Sequence, residues 1–334
     1  MKTGPSRFEY YLAKLELLLQ QASKDPSPAM YLFRNDARTP LFMLEALARI
    51  YRTIHNENKF KELKDDFKSL EDALGAIDYY TAYAAEFKAH PSVPVEVRQY
   101  IEVKVAEAIA SMNVLLVARG WLEEDGRVPS IRRKLAKADW KKPKSELQAI
   151  QRLYETSISK INKFIRKNEE GFTDIENQVH ELRRELRWLS IYPQAMKGAI
   201  QTMDNGEDKE TLLKYFTPAI TNSPFNVMPD AGDNEWFLLL EKNYFYALSW
   251  MIAELGRIKD DGLQFFAAAE ALQHLEGLSQ KKAFEKSFAV FGSDRQLYHN
   301  LLSEASSFAN QFCDDKVLDN LLLGVTYIKK LDPL

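Results

Sequence analysis

One stretch of this 334-residue chain gathers cations at a spacing that suits anion chemistry: VHELRRELRWLSIYPQA, residues 179–195. At about 100° per residue, His180, Arg183, Arg184 and Arg187 fall within an arc of about 100° on one side of a helix. Val179, Leu182, Leu186 and Leu189 take the other side and supply a core face. Guanidinium forks match phosphate oxygens in pairs, and low-dielectric walls would strengthen their field. His180 can donate from one ring nitrogen and adds charge when protonated. A basic, solvated side of an ordinary amphipathic helix is the plainer reading. Against it, the same face runs on through Ile191, Gln194 and Gly198, which is not a solvent pattern. Arginines mixed with apolar and small groups suit a cleft.

The helix that must hold these residues has a fainter copy 145 residues earlier, FRNDARTPLFMLEALARIY at 33–51. Setting Arg38 on Arg183 puts Asn35 on His180, Leu41 on Leu186 and Leu44 on Leu189. Arg49 falls on the same face as Arg38. A second echo pairs DALGAIDYY (72–80) with AELGRIKDD (253–261), and Lys259 lies in the second copy. A repeated helical unit predicts two related halves. Nearly every segment repeats apolar residues at three and four, and alternating β-branched runs are scarce. The pattern predicts an all-α protein of two pseudo-symmetric antiparallel four-helix bundles related by an internal repeat. Helices are expected at about 7–23, 28–55 with a kink at Pro40, 58–87, 95–121, 145–167 and 173–203. Others are expected at about 235–256, 259–276, 281–289, 294–311 and 315–331, after an irregular stretch at 217–234 rich in proline. Residues 1–125 form the first bundle. A basic linker follows at 126–145, and 146–334 form the second bundle with extra C-terminal helices. The linker carries Arg127, Arg132, Arg133 and Lys134, and reads as a solvated connector or, less simply, as a polyanion contact.

Bulk composition excludes several classes. The net charge is −3, so any anion site is local and not a property of the whole surface. The single cysteine, Cys313, forbids an internal disulfide and fits a reducing compartment; it reads as a packed core thiol. Arg7, Glu9 and Lys14 interrupt the N-terminal run that a signal peptide would need. The most apolar segment, 109–121, is too short for a bilayer. A cytoplasmic protein without membrane contact is expected. No histidine has a glutamate three residues before it, as a di-metal helical site requires, and no HExxH, phosphate-loop or GxSxG element occurs. Neither a metal nor a catalytic constellation nor a cofactor is expected. Trp188, Trp236 and Trp250 read as core. Nucleic acid is not an expected partner, because aromatic residues do not interleave with the basic ones.

The residues His180, Arg183 and Arg187, in the order HxxRxxxR, resemble the signature of the CHAD family, the conserved-histidine α-helical domain. Leu255-Gly256 followed by Lys259-Asp260 resembles the family's second motif, and two repeats in one chain agree with its architecture. The resemblance implies non-enzymatic binding of inorganic polyphosphate, or another phosphate-rich anion, in a basic cleft between two bundles. The first copy departs from the motif: Asn35 stands for the histidine and Phe42 for the second basic residue. The expected anion site is therefore His180, Arg183, Arg184 and Arg187, with Arg38, Arg49 and Lys259 in support. The alternative is a helical protein-interaction scaffold that has lost the anion.

Overall fold

The computed structural model describes residues 3–55, 57–206, 209–293 and 295–328. It is 74% helical, with three short strands. The first half holds α1 (Thr3–Ala22), α2 (Pro28–Arg34), α3 (Arg38–Ile54), α4 (Glu57–Ala89) and α5 (Val95–Ala118). Then come α6 (Arg127–Ala136) and α7 (Pro143–Lys167), a π-helical turn (Ile175–His180) continuous with α8 (Glu181–Ala195), and β1 (Ile200–Met203). Two short helices, α9 (Lys209–Leu212) and α10 (Pro218–Thr221), lead to β2 (Trp236–Glu241), α11 (Lys242–Glu276), α12 (Gln280–Val290), α13 (Arg295–Asp314) and β3 (Leu322–Tyr327). One contiguous apolar core runs through both halves, and α3 packs directly on α8.

The expected kink at Pro40 is a full break between α2 and α3, centred on Asp36 in the left-handed region (φ 52°). Pro40 then sits in the first turn of α3, where its missing N–H costs nothing. The helices expected at 235–256 and 259–276 are one helix, α11, preceded by a strand. Gly256 does not end it, and Glu241 caps it by accepting from the backbone N–H of Tyr244 at 2.8 Å.

Strands were not expected, and the chain builds a sheet in the order β1-β2-β3. β1 pairs parallel and β2–β3 antiparallel. WFLLLE at 236–241 is a short apolar run whose period does not separate buried strand from helix, and burial on both faces selects the strand. The end of the helix expected at 173–203 is β1. Likewise, the helix expected at 315–331 is turn and then β3, with its last residues, 329–331, outside the described residues.

The expected linker at 126–145 is in part a helix. Most of its first ten residues form α6, and three of the four cations of α6 meet neighbouring acids. Arg133, Lys137, Lys141, Lys142 and Lys144 stay exposed. Arg132 forks onto Glu9 and Glu16, Lys134 meets Glu62, and Arg127 meets Asp66. Behind it lies a buried polar triad joining α1, α3 and α7. Arg7 donates to Glu146 at 2.6 Å and to the Tyr51 hydroxyl at 2.8 Å, and Tyr51 donates to Glu146 at 2.8 Å. The three side chains are at most 5% exposed.

Removing one partner of a buried pair leaves a bare charge, at about 3–5 kcal/mol. Glu146→Ala should therefore lower stability by about that amount in urea denaturation. A loss under about 1 kcal/mol would show that the triad does not join the halves. His55 stacks on Tyr51 at 5.6 Å and meets the edge of Trp140 at 5.4 Å. Burial, above all, holds its imidazole below the ordinary value of 6.5. The folded state thus resists a proton that the unfolded state accepts, so this stability is present above about pH 6.5 and is lost as the pH falls. His55→Phe should flatten the decline in Tm between about pH 7.5 and pH 5.5. An unchanged slope would assign the decline to other groups.

Candidate anion-binding cleft

The face that α8 turns away from the core meets α3, α4 and α11 around a cleft of about 790 Å³. All seven residues picked from the sequence line it: His180, Arg183, Arg184, Arg187, Arg38, Arg49 and Lys259. Ile191 lines it too. Gln194, expected on the same face, instead holds the 224–227 loop by donating to the carbonyl of Val227 at 2.8 Å. Gly198 lies past the end of α8.

The π turn places His180 where the helix changes from a wide to a normal winding, a local device common at functional sites. Asp174 starts that turn by accepting from the backbone N–H of Asn177 at 2.6 Å. His180 Nδ1 is enclosed and makes no hydrogen bond. Its nearest carboxylate, Glu176, lies 3.6 Å away, and His180 is the main influence holding the Glu176 carboxyl below the usual range.

Arg183 is fixed by a close approach. Its Nε donates to the carbonyl of Ile252 at 3.1 Å, across the helix surface at Gly256. A Cβ on Gly256 would lie 2.9 Å from that Nε. The same arrangement occurs in the first half, where Arg38 lies over Gly75, but more loosely: a Cβ there would be 3.4 Å from the guanidinium. Thus both Leu-Gly echoes seat an arginine from the other echoed helix.

The cleft is not uniformly basic. Seven arginine and lysine side chains line it, and so do seven carboxylates. Arg38 bridges Glu71 and Asp78, each at 2.6 Å. Arg49 pairs with Glu45 at 2.9 Å, and Lys259 with Asp260 at 2.5 Å. Arg184, half exposed, pairs with Glu181 at 2.5 Å. Arg187 and Arg183 differ: among the described residues neither has a carboxylate within ion-pair distance. Arg187 lies over the Phe42 ring at 4.8 Å. Burial, and then the charge of Arg183, push its guanidinium down to about 10. Burial likewise lowers Arg183. Both shifts reflect burial of a charge that no ion pair offsets.

Sequence reasoning missed the carboxylates. Glu71, Gly75, Asp78, Ala82 and Glu86 recur at four, three, four and four along α4, one stripe facing the cleft. That spacing was readable, but without the fold nothing pointed the stripe at Arg187. Trp188, read as core, is 7% exposed and also lines the cleft, under Arg49 at 4.1 Å. Cys313 is free and only partly buried, away from this site. Among the described residues no group of histidine, cysteine and carboxylates is arranged to hold a metal, and no helix is long and apolar enough to cross a membrane.

Alanine in a helix interior gains about 1 kcal/mol over glycine. Gly75→Ala should therefore stabilise the fold by up to about that much. Gly256→Ala should gain nothing net, because displacing Arg183 gives up a hydrogen bond worth about 1 kcal/mol. Equal gains by thermal denaturation would show that Arg183 is not held against Gly256.

Comparison with known proteins leaves the ligand to be read from the cleft itself: no family model matches the chain, and no curated protein or solved structure is significantly similar to it.

Proposed function

We propose that the cleft binds a phosphate-rich anion and that the chain does no chemistry on it. The observation that carries this reading is the pair Arg183 and Arg187, partly buried in an open cleft without a carboxylate partner. Unpaired, desolvated cations are costly, and a protein that keeps two of them side by side gains when an anion arrives. Guanidinium forks favour tetrahedral oxyanions. The open guanidinium donors support binding, and binding is the function proposed. We also propose that the halves are two related bundles of CHAD type. In support, Arg38 of α3 lies over Gly75 of α4, and Arg183 of α8 over Gly256 of α11. The rival reading, a scaffold that has lost its ligand, draws on the seven lining carboxylates. These neutralise Arg38, Arg49 and Lys259 but leave Arg183 and Arg187 open.

A ligand that binds only the folded form raises Tm, and displaced counterions make polyanion binding fade with salt. Tripolyphosphate at low salt should raise Tm, and added salt should erase the shift. Charge-assisted bonds contribute about 1.5–3 kcal/mol each. Replacing Arg183 and Arg187 together with alanine should therefore weaken binding at least about tenfold. Arg38→Ala should cost less, since Arg38 already serves Glu71 and Asp78. Circular dichroism checks that the variants stay folded. No shift in Tm would favour the scaffold, and a larger loss from Arg38 would place the site on the wrong half.

A further inference from the structure

The open cations occupy only a short central part of the cleft. Arg183 and Arg187 are one helical turn apart, about 6 Å along the axis, and His180 lies about 4.5 Å before Arg183. Beyond them in both directions the lining turns acidic. Past Arg183 stand Asp260, whose charge bears on Arg183, and its neighbours Asp261 and Glu86. Burial, and then the charges of Asp261 and Asp260, raise the Glu86 carboxyl, while burial, Asp260 and Glu304 raise that of Asp261 against the pull of Arg257. Past Arg187 stand Glu71 and the buried Glu45, whose charges bear on Arg187. The other arginines and lysines of the cleft offer no continuation, because Arg38, Arg49, Lys68, Arg184 and Lys259 are each paired with a carboxylate.

From this arrangement we infer that the cleft selects a short phosphate chain, a diphosphate or triphosphate, and discriminates against long polyphosphate. The inference rests on the anion-binding reading above. A chain of that length places its phosphoryl groups along Arg183 and Arg187 and stops before the carboxylates. Each further phosphoryl group meets Glu86 or a carboxylate already held in an ion pair, and among the described residues finds no free arginine or lysine in the lining. A net charge of −3 adds no long-range attraction for a polyanion. The chain that fits is inorganic: of the rings lining the cleft, Phe42 is covered by Arg187 and Arg38 and Trp188 by Arg49, Tyr83 is buried, and Tyr79 packs edge-on against Tyr80 and Tyr83.

Calorimetric titration of the full chain at fixed low salt, with pyrophosphate, tripolyphosphate, a nucleoside triphosphate and long-chain polyphosphate, tests this. Pyrophosphate and tripolyphosphate should bind one to one, and per chain the long polymer should bind no more tightly than tripolyphosphate. The nucleoside triphosphate should bind no more tightly either; tighter binding would overturn the inorganic assignment and leave the length limit standing. The exposed pair Glu86→Gln with Asp261→Asn should tighten binding of the long polymer about tenfold while moving tripolyphosphate less than about threefold. Affinity that climbs with chain length in the unaltered protein would overturn the length limit and keep the anion site. Binding of none of the probes would overturn both.

Discussion

The cleft depends on an imbalance: two arginines held by packing instead of by carboxylates. Arg183 is anchored by one backbone carbonyl and by the bare helix surface at Gly256. Arg187 rests on an aromatic face. Both sit on α8, whose other side is locked into the core through Leu182, Leu186 and Leu189. A rigid helix thus keeps positive charge in a partly dry place and leaves its terminal donors unclaimed. Preorganised donors cost a ligand little to engage, which is how a small cluster can bind an anion in a protein of net negative charge.

Elsewhere the protein cancels part of its own charge. The basic run after residue 126 looks in the sequence like an arm for a polyanion. In the fold, Arg132 takes two glutamates of α1 and Lys134 a glutamate of α4. Arg38 on α3 is silenced in the same way, held between Glu71 and Asp78. Arg38 and Arg183, each lying over a helix glycine, therefore differ in electrostatic state. The buried triad of Arg7, Tyr51 and Glu146 ties α1, α3 and α7 into one core.

The sequence made some of this legible. Helical periodicity located most of the long helices, and the arginine face on α8 was readable from spacing alone, because a helix fixes which residues share a side. The Leu-Gly echoes marked the surfaces on which Arg38 and Arg183 lie. The stripe of carboxylates on α4 could not be assigned to the cleft, because tertiary packing and not spacing turns it that way. The sheet was missed because WFLLLE and LLGVTY are short apolar runs whose strand form is set by mutual pairing and not by period. The π turn, capped by Asp174, leaves no simple pattern.

The most direct test of the unpaired arginines is nuclear magnetic resonance of the arginine Nε–H groups during titration with tripolyphosphate. The signals of Arg183 and Arg187 should move together and saturate, while those of Arg38 and Arg49, already engaged by carboxylates, should move little. Shifts spread evenly over surface arginines such as Arg152 and Arg166, with Arg183 and Arg187 unmoved, would contradict the account.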